Sequence, residues 1–275
     1  MRRHSSDLLE LAAGYVAYRL RRPLSASPIF VIGTGRSGTN WVGNVLGAHP
    51  EIGASIERPR FFRLSVAMAV DPRSRERLFK RLVRLYRYEA ARVAPRHFAD
   101  KSHPNIWFAE LLAEEFPDAL FVGVRRSVYG TVASMLKHQG VRRWLEEWRQ
   151  YPLPNRFLGI GAADTDWYES LSLAGRGALR WVAHEQRFAE LRPLLGSRLV
   201  EISYEELHRA PAESLRAVEE ILELQTPIPE PTVNRRSLGR WREELTPDQV
   251  QEIARVIELK LAGSNDVALP AGRLA

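Results

Sequence analysis

Residues 30–41 read FVIGTGRSGTNW: an apolar run opens into a glycine-rich turn and restarts with helix-compatible residues. This is the form of a loop whose backbone N–H groups cradle a phosphate at a helix N-terminus. A loop built for a nucleoside triphosphate reads G-x-x-x-x-G-K-[ST], with the lysine reaching the β- and γ-phosphates and the hydroxyl holding magnesium. Gly33 and Gly38 keep that spacing, but Thr39 stands in the lysine slot and Asn40 in the hydroxyl slot. What remains suits a 5′-phosphate without a triphosphate–magnesium tail. Arg36 adds a full charge from inside the loop.

Such a loop needs a strand before it and a helix after it. Strand signals fall at Ile29–Ile32, Ile52–Ile56, Phe98–Asp100, Leu120–Val124 and Leu199–Ile202. Helical patterns lie between them, at Gly38–Ala48, Arg73–Val93, Ile106–Glu115, Val128–Gln139 and about Trp167–Leu191. Strands alternating with helices of this length predict right-handed crossovers and an α/β fold of three layers. Its central sheet is expected to be mostly parallel and flanked by helices, as in P-loop NTPases. Sites in such sheets gather at the C-terminal ends of the strands, and the residues of chemical interest sit just after the strand signals.

The residues GRSGTNW resemble the 5′-phosphosulfate loop of sulfotransferases, which use 3′-phosphoadenosine 5′-phosphosulfate (PAPS). The resemblance implies that Arg36, Ser37, Gly38, Thr39 and Asn40 wrap the 5′-phosphate and that the Trp41 ring lies against adenine. FVGVRRSVYGTVASML then resembles the family's 3′-phosphate motif, an arginine at a strand end and a serine on the following helix: Arg126 and Ser134. A guanidinium gives phosphate a two-pronged fork, and Arg125 is the alternative ligand. Many relatives carry an aspartate and a second arginine where this chain has Ser127 and Tyr129. LVEISYEELHRAP resembles the strand whose following tyrosine approaches adenine, here Tyr204. NRRSLGRWREEL resembles the late basic loop over the 3′-phosphate, with Arg235, Arg236, Ser237, Gly239 and Arg240 as candidates. The likeness touches residues from about 29 to 260.

Catalytic roles follow from the same resemblance. Glu57, after the second strand signal, matches the general base of the tyrosylprotein and carbohydrate branches. Lys101, after the third, matches a second catalytic cation that meets the bridging oxygen together with Arg36. His103 is the runner-up base, since aryl and steroid members use a histidine. Sulfuryl transfer, like phosphoryl transfer, is an in-line displacement helped chiefly by positioning and charge stabilisation.

The chain has 275 residues, 45% of them hydrophobic, which fits a single domain over 28–275 after an N-terminal helix and lead-in over 1–27. There is no cysteine, which removes disulfides, thiolate nucleophiles and cysteine-held zinc and suits a cytoplasmic enzyme. His97 and His103 have no partners at zinc spacing, so no metal is expected. The net charge of +7 suits an anionic partner. In the first helix Leu9, Ala13, Val16 and Leu20 recur at helical spacing; the expectation is a face packed on the domain, with peripheral membrane contact as the alternative. A basic helix, DPRSRERLFKRLVRLYRYEAARVA, is expected to bury Leu78, Leu82, Leu85 and Tyr86 and to show Arg73, Arg77, Lys80, Arg81 and Arg84. Placed beside an acceptor cleft, it would suit a small-molecule, carbohydrate or lipid-headgroup acceptor, and no nucleic acid is expected. The segment from Trp148 to Trp167 is the candidate lid. Two rival readings stand beside this one: a P-loop kinase using ATP, and a non-enzymatic binder of polyanions or nucleotides.

Overall fold

A computed structural model describes residues 2–20, 27–234 and 236–261, and of the first helix the side chains from Leu9 onward. Five strands form one sheet: β1 (Ile29–Gly33), β2 (Ile52–Ile56), β3 (His97–Lys101), β4 (Leu120–Arg125) and β5 (Leu199–Ser203). Their order is β2-β3-β1-β4-β5, and every pair is parallel. Every residue of β1 is buried, as a parallel strand covered on both faces requires. Phe30 and Ile32 point to one face, beside Phe98 and Phe121; Ile29 and Val31 point to the other, beside Val122 and Ile202.

The helices, in chain order, are α1 (Arg2–Leu20), α2 (Thr39–Gly47), α3 (Pro59–Val70), α4 (Arg75–Val93), α5 (Ala109–Glu115), α6 (Val128–Lys137), α7 (Gln139–Glu146), α8 (Thr165–Ser170), α9 (Leu173–Leu195), α10 (Tyr204–Arg209), α11 (Pro211–Ile221), α12 (Arg236–Gly239), α13 (Trp241–Glu244) and α14 (Pro247–Leu261). Val42, Leu46, Leu215 and Val218 bring α2 and α11 onto the Ile29/Val31 face. The larger core on the other face takes side chains from α3, α4, α5, α6, α9 and α14. The result is the expected three-layer, P-loop-like α/β fold.

The helix α1 turns its apolar stripe the wrong way round. Gly14 is buried against Tyr88 of α4, and Tyr15 and Tyr18 place their rings 5.5 Å from the Tyr88 ring. Leu9, Val16 and Leu20, expected to pack inward, are 72%, 53% and 79% exposed. The cause is Gly14: with no side chain it lets the two helix backbones approach, so the Gly14 face docks and the apolar stripe is left outside. The basic helix behaves as expected, burying Leu82, Leu85 and Tyr86 and exposing Arg77, Lys80, Arg81 and Arg84. Among the described residues no helix is long and apolar enough to cross a membrane.

A buried polar cluster fixes the end of β3. Tyr86 donates to Asp100 Oδ2 (2.8 Å), while Asn105 donates to Tyr86 (2.8 Å) and to Asp100 Oδ2 (3.2 Å). Burial pushes the Asp100 carboxyl up to about 7. These bonds tie the strand to the turn that carries His103, so Lys101 and His103 leave the sheet in set directions.

Candidate functional site

All five strands deliver a site residue at their C-terminal ends, where parallel α/β sheets place their ligands. The loop 33–38 follows β1, Glu57 follows β2, Lys101 ends β3 with His103 just beyond, Arg126 follows β4 and Tyr204 follows β5. A cavity of about 350 Å³ is lined by Arg36, Thr39, Asn40, Trp41, Glu57, Lys101, His103, Arg126, Ser134 and Tyr204, among others. It joins a second of about 340 Å³, where Arg126, Ser134 and Tyr204 recur beside Ser237 and Arg240.

The loop has the twisted backbone of an anion nest. Gly35, Arg36 and Gly38 have φ of 70°, 68° and 101°, so successive N–H groups turn to one side. A side chain at Gly38 would set its Cβ 2.5 Å from Tyr204 Cδ2, and one at Gly35 would strike His103 Nε2 at 2.7 Å. Gly38 also caps α2 without any side-chain acceptor, leaving that helix's first N–H groups for a ligand. Arg36 donates from Nε to Ser134 Oγ (3.2 Å), which joins the loop to α6. Ser37 differs: its hydroxyl donates to the Val124 carbonyl (2.9 Å), and the residue is fully buried and lines neither cavity.

Glu57 and Lys101 meet across the β2/β3 edge. Glu57 N–H donates to the Lys101 carbonyl (3.0 Å), extending the ladder by one bond, and the Lys101 ammonium donates to Glu57 Oε1. Glu57 holds φ at 46°, a left-handed conformation that a non-glycine residue adopts at a cost. Burial works to raise its carboxyl, but His103 and the Lys101 charge outweigh it and bring it to about 2. Burial lowers Lys101, and Glu57 opposes that shift. His103 Nδ1 lies 3.5 Å from Glu57 Oε1, the outer limit of a hydrogen bond, and neither ring nitrogen has a closer partner among the described residues. Burial takes its imidazole down to about 3, so it is neutral. Neither candidate base is therefore strongly basic while Glu57 is held by Lys101.

The two adjacent arginines part company. Arg125 belongs to β4 and turns into the protein, donating to the buried Glu185 (2.8 Å from Nε) and lying 3.3 Å from Glu201. Arg126 turns to the cavity, donating to the carbonyls of Arg36 and Ser237 (both 3.3 Å), with its guanidinium 4.2 Å over the Tyr204 ring. Burial lowers its pKa from the ordinary arginine value. The geometry therefore selects Arg126 over Arg125 as the cavity cation.

Tyr204 donates to Ser237 Oγ (2.9 Å), which lies 3.0 Å from His208 Nε2. Trp41 packs its ring 5.5 Å from Tyr204 and 4.3 Å from His208, making an aromatic corner beside α2. The departures at Ser127 and Tyr129 have structural reasons. Ser127 accepts from Gly130 N–H (3.3 Å) and caps α6, while Tyr129 stacks on Trp241 at 4.7 Å and 22°. That stack draws the late basic loop onto α6 without a second arginine.

Of the late loop, Ser237 and Arg240 border the second cavity. Arg236 is exposed and neither it nor Gly239 lines either cavity, and Arg235 lies outside the described residues. No side chain of α4 borders the first cavity, because α4 packs on α3, β3 and α1 in an outer layer. The Trp148–Trp167 segment does not border it either; Trp148 is buried in the core. The wall beyond Glu57 is instead built from Phe62 of α3 and from His138, Gly140, Val141 and Trp144 in and before α7. Sequence reasoning missed these residues. The signals were Pro59, which occupies the first turn of α3, and His138, whose Nδ1 accepts from Val141 N–H (3.3 Å) to start α7.

Among the described residues no group of three or more His, Asp or Glu side chains is placed to hold a metal. The model of a family described as the sulfotransferase family matches residues 28–227. The structure is similar to the "Sulfotransferase Domain from the Curacin Biosynthetic Pathway" at TM-score 0.53 and 15% identity, covering 89% of this chain and 99% of that one. It is also similar to the "Sulfotransferase Domain from the Synechococcus PCC 7002 Olefin Synthase" at TM-score 0.50 and 15% identity, covering 86% and 97%. At such identity these likenesses concern the fold. A search of curated proteins found none that matches the chain.

Proposed function

This chain belongs to the sulfotransferase family, and on that footing we propose that it transfers a sulfuryl group from 3′-phosphoadenosine 5′-phosphosulfate to a hydroxyl or amine of a small acceptor. The observation that carries the reading is the meeting of Glu57, Lys101 and Arg36 on one cavity, at the mouth of a phosphate nest that lacks the triphosphate lysine. The loop 33–38 and Arg36 take the 5′-phosphosulfate. Arg126, Ser134, Ser237 and Arg240 take the 3′-phosphate, and the Trp41–Tyr204 corner takes the base.

The acceptor oxygen or nitrogen forms a bond to sulfur while the bond from sulfur to the bridging oxygen breaks. That oxygen leaves on the 5′-phosphate, giving 3′,5′-adenosine bisphosphate. Arg36 and Lys101 neutralise the charge that develops there. Glu57 takes the acceptor proton, a contribution typically worth about 10²–10⁴-fold. The Glu57–Lys101 ion pair has a part in this. An arriving anion competes for the Lys101 ammonium, and burial, still acting on Glu57, then raises its carboxyl towards useful basicity. Phe62, Val141 and Trp144 give the acceptor end an apolar wall, which supports an acceptor with an apolar flank.

A thermal shift experiment with 3′,5′-adenosine bisphosphate, ATP·Mg and buffer separates this reading from its rivals. A ligand at about 100 times its dissociation constant stabilises by about 2.7 kcal/mol. Stabilisation by the bisphosphate is expected. A shift with ATP·Mg alone makes the protein a kinase, and no shift with either leaves it a polyanion binder. Labelled donor with a panel of hydroxyl and amine acceptors then identifies the second substrate.

A further inference from the structure

Arg180 lies in the middle of α9, fully buried, directly behind the phosphate loop. From one guanidinium nitrogen, Nη1, it donates to the carbonyl of Thr34. Its Nε and Nη2 have no hydrogen-bond partner among the described residues. It makes no ion pair with any described carboxylate, and the buried Tyr168 phenol near it, whose pKa burial raises, is neutral and supplies no counter-charge. Phe157 lies under it, 4.5 Å from ring centroid to guanidinium, and Trp144 stands 5.7 Å away. Burial lowers it to about 9, which leaves it charged at neutral pH. A buried cation normally has an anion beside it, because desolvation is costly without one.

The Thr34 contact has a directional consequence. In a trans peptide the C=O of one residue and the N–H of the next point opposite ways. Arg180 pulls the Thr34 carbonyl back into the protein, so the Gly35 N–H of the same peptide faces the other side, where Gly35 lines the cavity. The same arginine also keeps a carbonyl oxygen, the wrong partial charge, away from an anion seated in the loop.

We propose that Arg180 is a positioning residue for the 5′-phosphosulfate: it sets the Thr34–Gly35 peptide with its N–H forward, and its uncompensated charge finds its counter-charge in the anion across the loop. The proposal rests on the nucleotide reading above. It predicts an effect confined to the 5′ side of the nucleotide, because the Arg180 guanidinium lines neither cavity and hydrogen-bonds only the loop, at Thr34, whereas Arg126 and Arg240 border the second cavity.

The test is titration calorimetry with two ligands, 3′,5′-adenosine bisphosphate and adenosine 3′-monophosphate, on the wild type, Arg180→Met and Arg180→Lys. Loss of a hydrogen-bonded charge is expected to weaken the bisphosphate by roughly 10–100-fold in Arg180→Met. The 3′-monophosphate should stay within about twofold, since no 5′-phosphate reaches the loop. Arg180→Lys, which keeps the charge without the fork, should recover part of the loss, and it serves as the test should the methionine variant not fold. An unchanged bisphosphate affinity overturns the proposal. So does equal weakening of both ligands with a lowered melting temperature, which marks an arginine that only supports the fold. A wild type that binds neither nucleotide refutes the nucleotide reading itself, a different result from either.

Discussion

Replacing Glu57 by glutamine isolates the one ion pair on which the proposed chemistry depends. The Glu57 carboxyl lies at about 2 instead of 4.5: burial raises it, while the His103 ring beside it and the Lys101 charge lower it further. At ~1.36 kcal/mol per pH unit, that gap sets a ceiling of ~3 kcal/mol on what the charged carboxylate adds to stability. The side chain is 33% exposed, and water screens such a pair, so the working figure is about 1–2 kcal/mol. Because the folded value is depressed, this contribution is complete above pH 4.5 and is lost as the pH falls towards 2. Glu57→Gln should therefore be less stable than the wild type by about 1–2 kcal/mol at pH 7, and the difference should shrink between pH 4.5 and 3. Urea denaturation of both proteins at stepped pH measures it, and the other carboxylates cancel in the comparison. Turnover at pH 7 should fall by about 10²–10⁴-fold with bisphosphate affinity nearly unchanged. A stability difference that ignores pH refutes the ion-pair account; unaltered turnover removes Glu57 as base and promotes His103.

The neighbouring arginines predict opposite phenotypes. Arg126→Ala should weaken 3′,5′-adenosine bisphosphate by roughly 10–100-fold, read by calorimetry. Arg125→Ala should leave that affinity nearly intact and destabilise the fold by about 3 kcal/mol, because it strands the fully buried Glu185 carboxylate; denaturation curves distinguish the two. Gly38→Ala forces a Cβ to within 2.5 Å of Tyr204 at a φ of 101°, so the bisphosphate-induced rise in melting temperature should largely vanish. Preserved binding in that variant would show that the loop and Tyr204 move apart freely.

The sheet was legible because its strands are covered on both faces. IFVIG and LFVGVR are apolar runs with no period of their own, and glycine or arginine ends them where the cavity begins. The loop 33–38 and Arg126 were legible for the same reason, since each follows such a run; Glu57, Lys101 and Tyr204 stand after or at the end of IGASI, HFADK and LVEIS, which carry polar residues. Helix boundaries were harder. The pattern Val128–Gln139 continues in sequence past His138, but that residue is extended and starts a new helix, α7. Likewise Ser172 breaks the Trp167–Leu191 pattern by capping α9, its hydroxyl accepting from Ala174 N–H at 3.1 Å. Pro59 and Pro211 open α3 and α11, which fall outside the helical patterns read from the sequence. The choice between Arg125 and Arg126 needed the third dimension, because it depends on Glu185, sixty positions away in the chain. Arg180 was out of reach for the same reason: an arginine between Leu179 and Trp181 reveals its burial only once both sides of α9 are covered.

The cavity's two walls are anchored differently. The loop 33–38, Glu57 and Lys101 spring from the C-terminal ends of strands in one hydrogen-bonded sheet, whereas Val141 and Trp144 ride on α7, which rests on α6 and α9. A change in the outer wall thus leaves the strands in place, so under the proposed reading the acceptor can be varied while the donor end is kept.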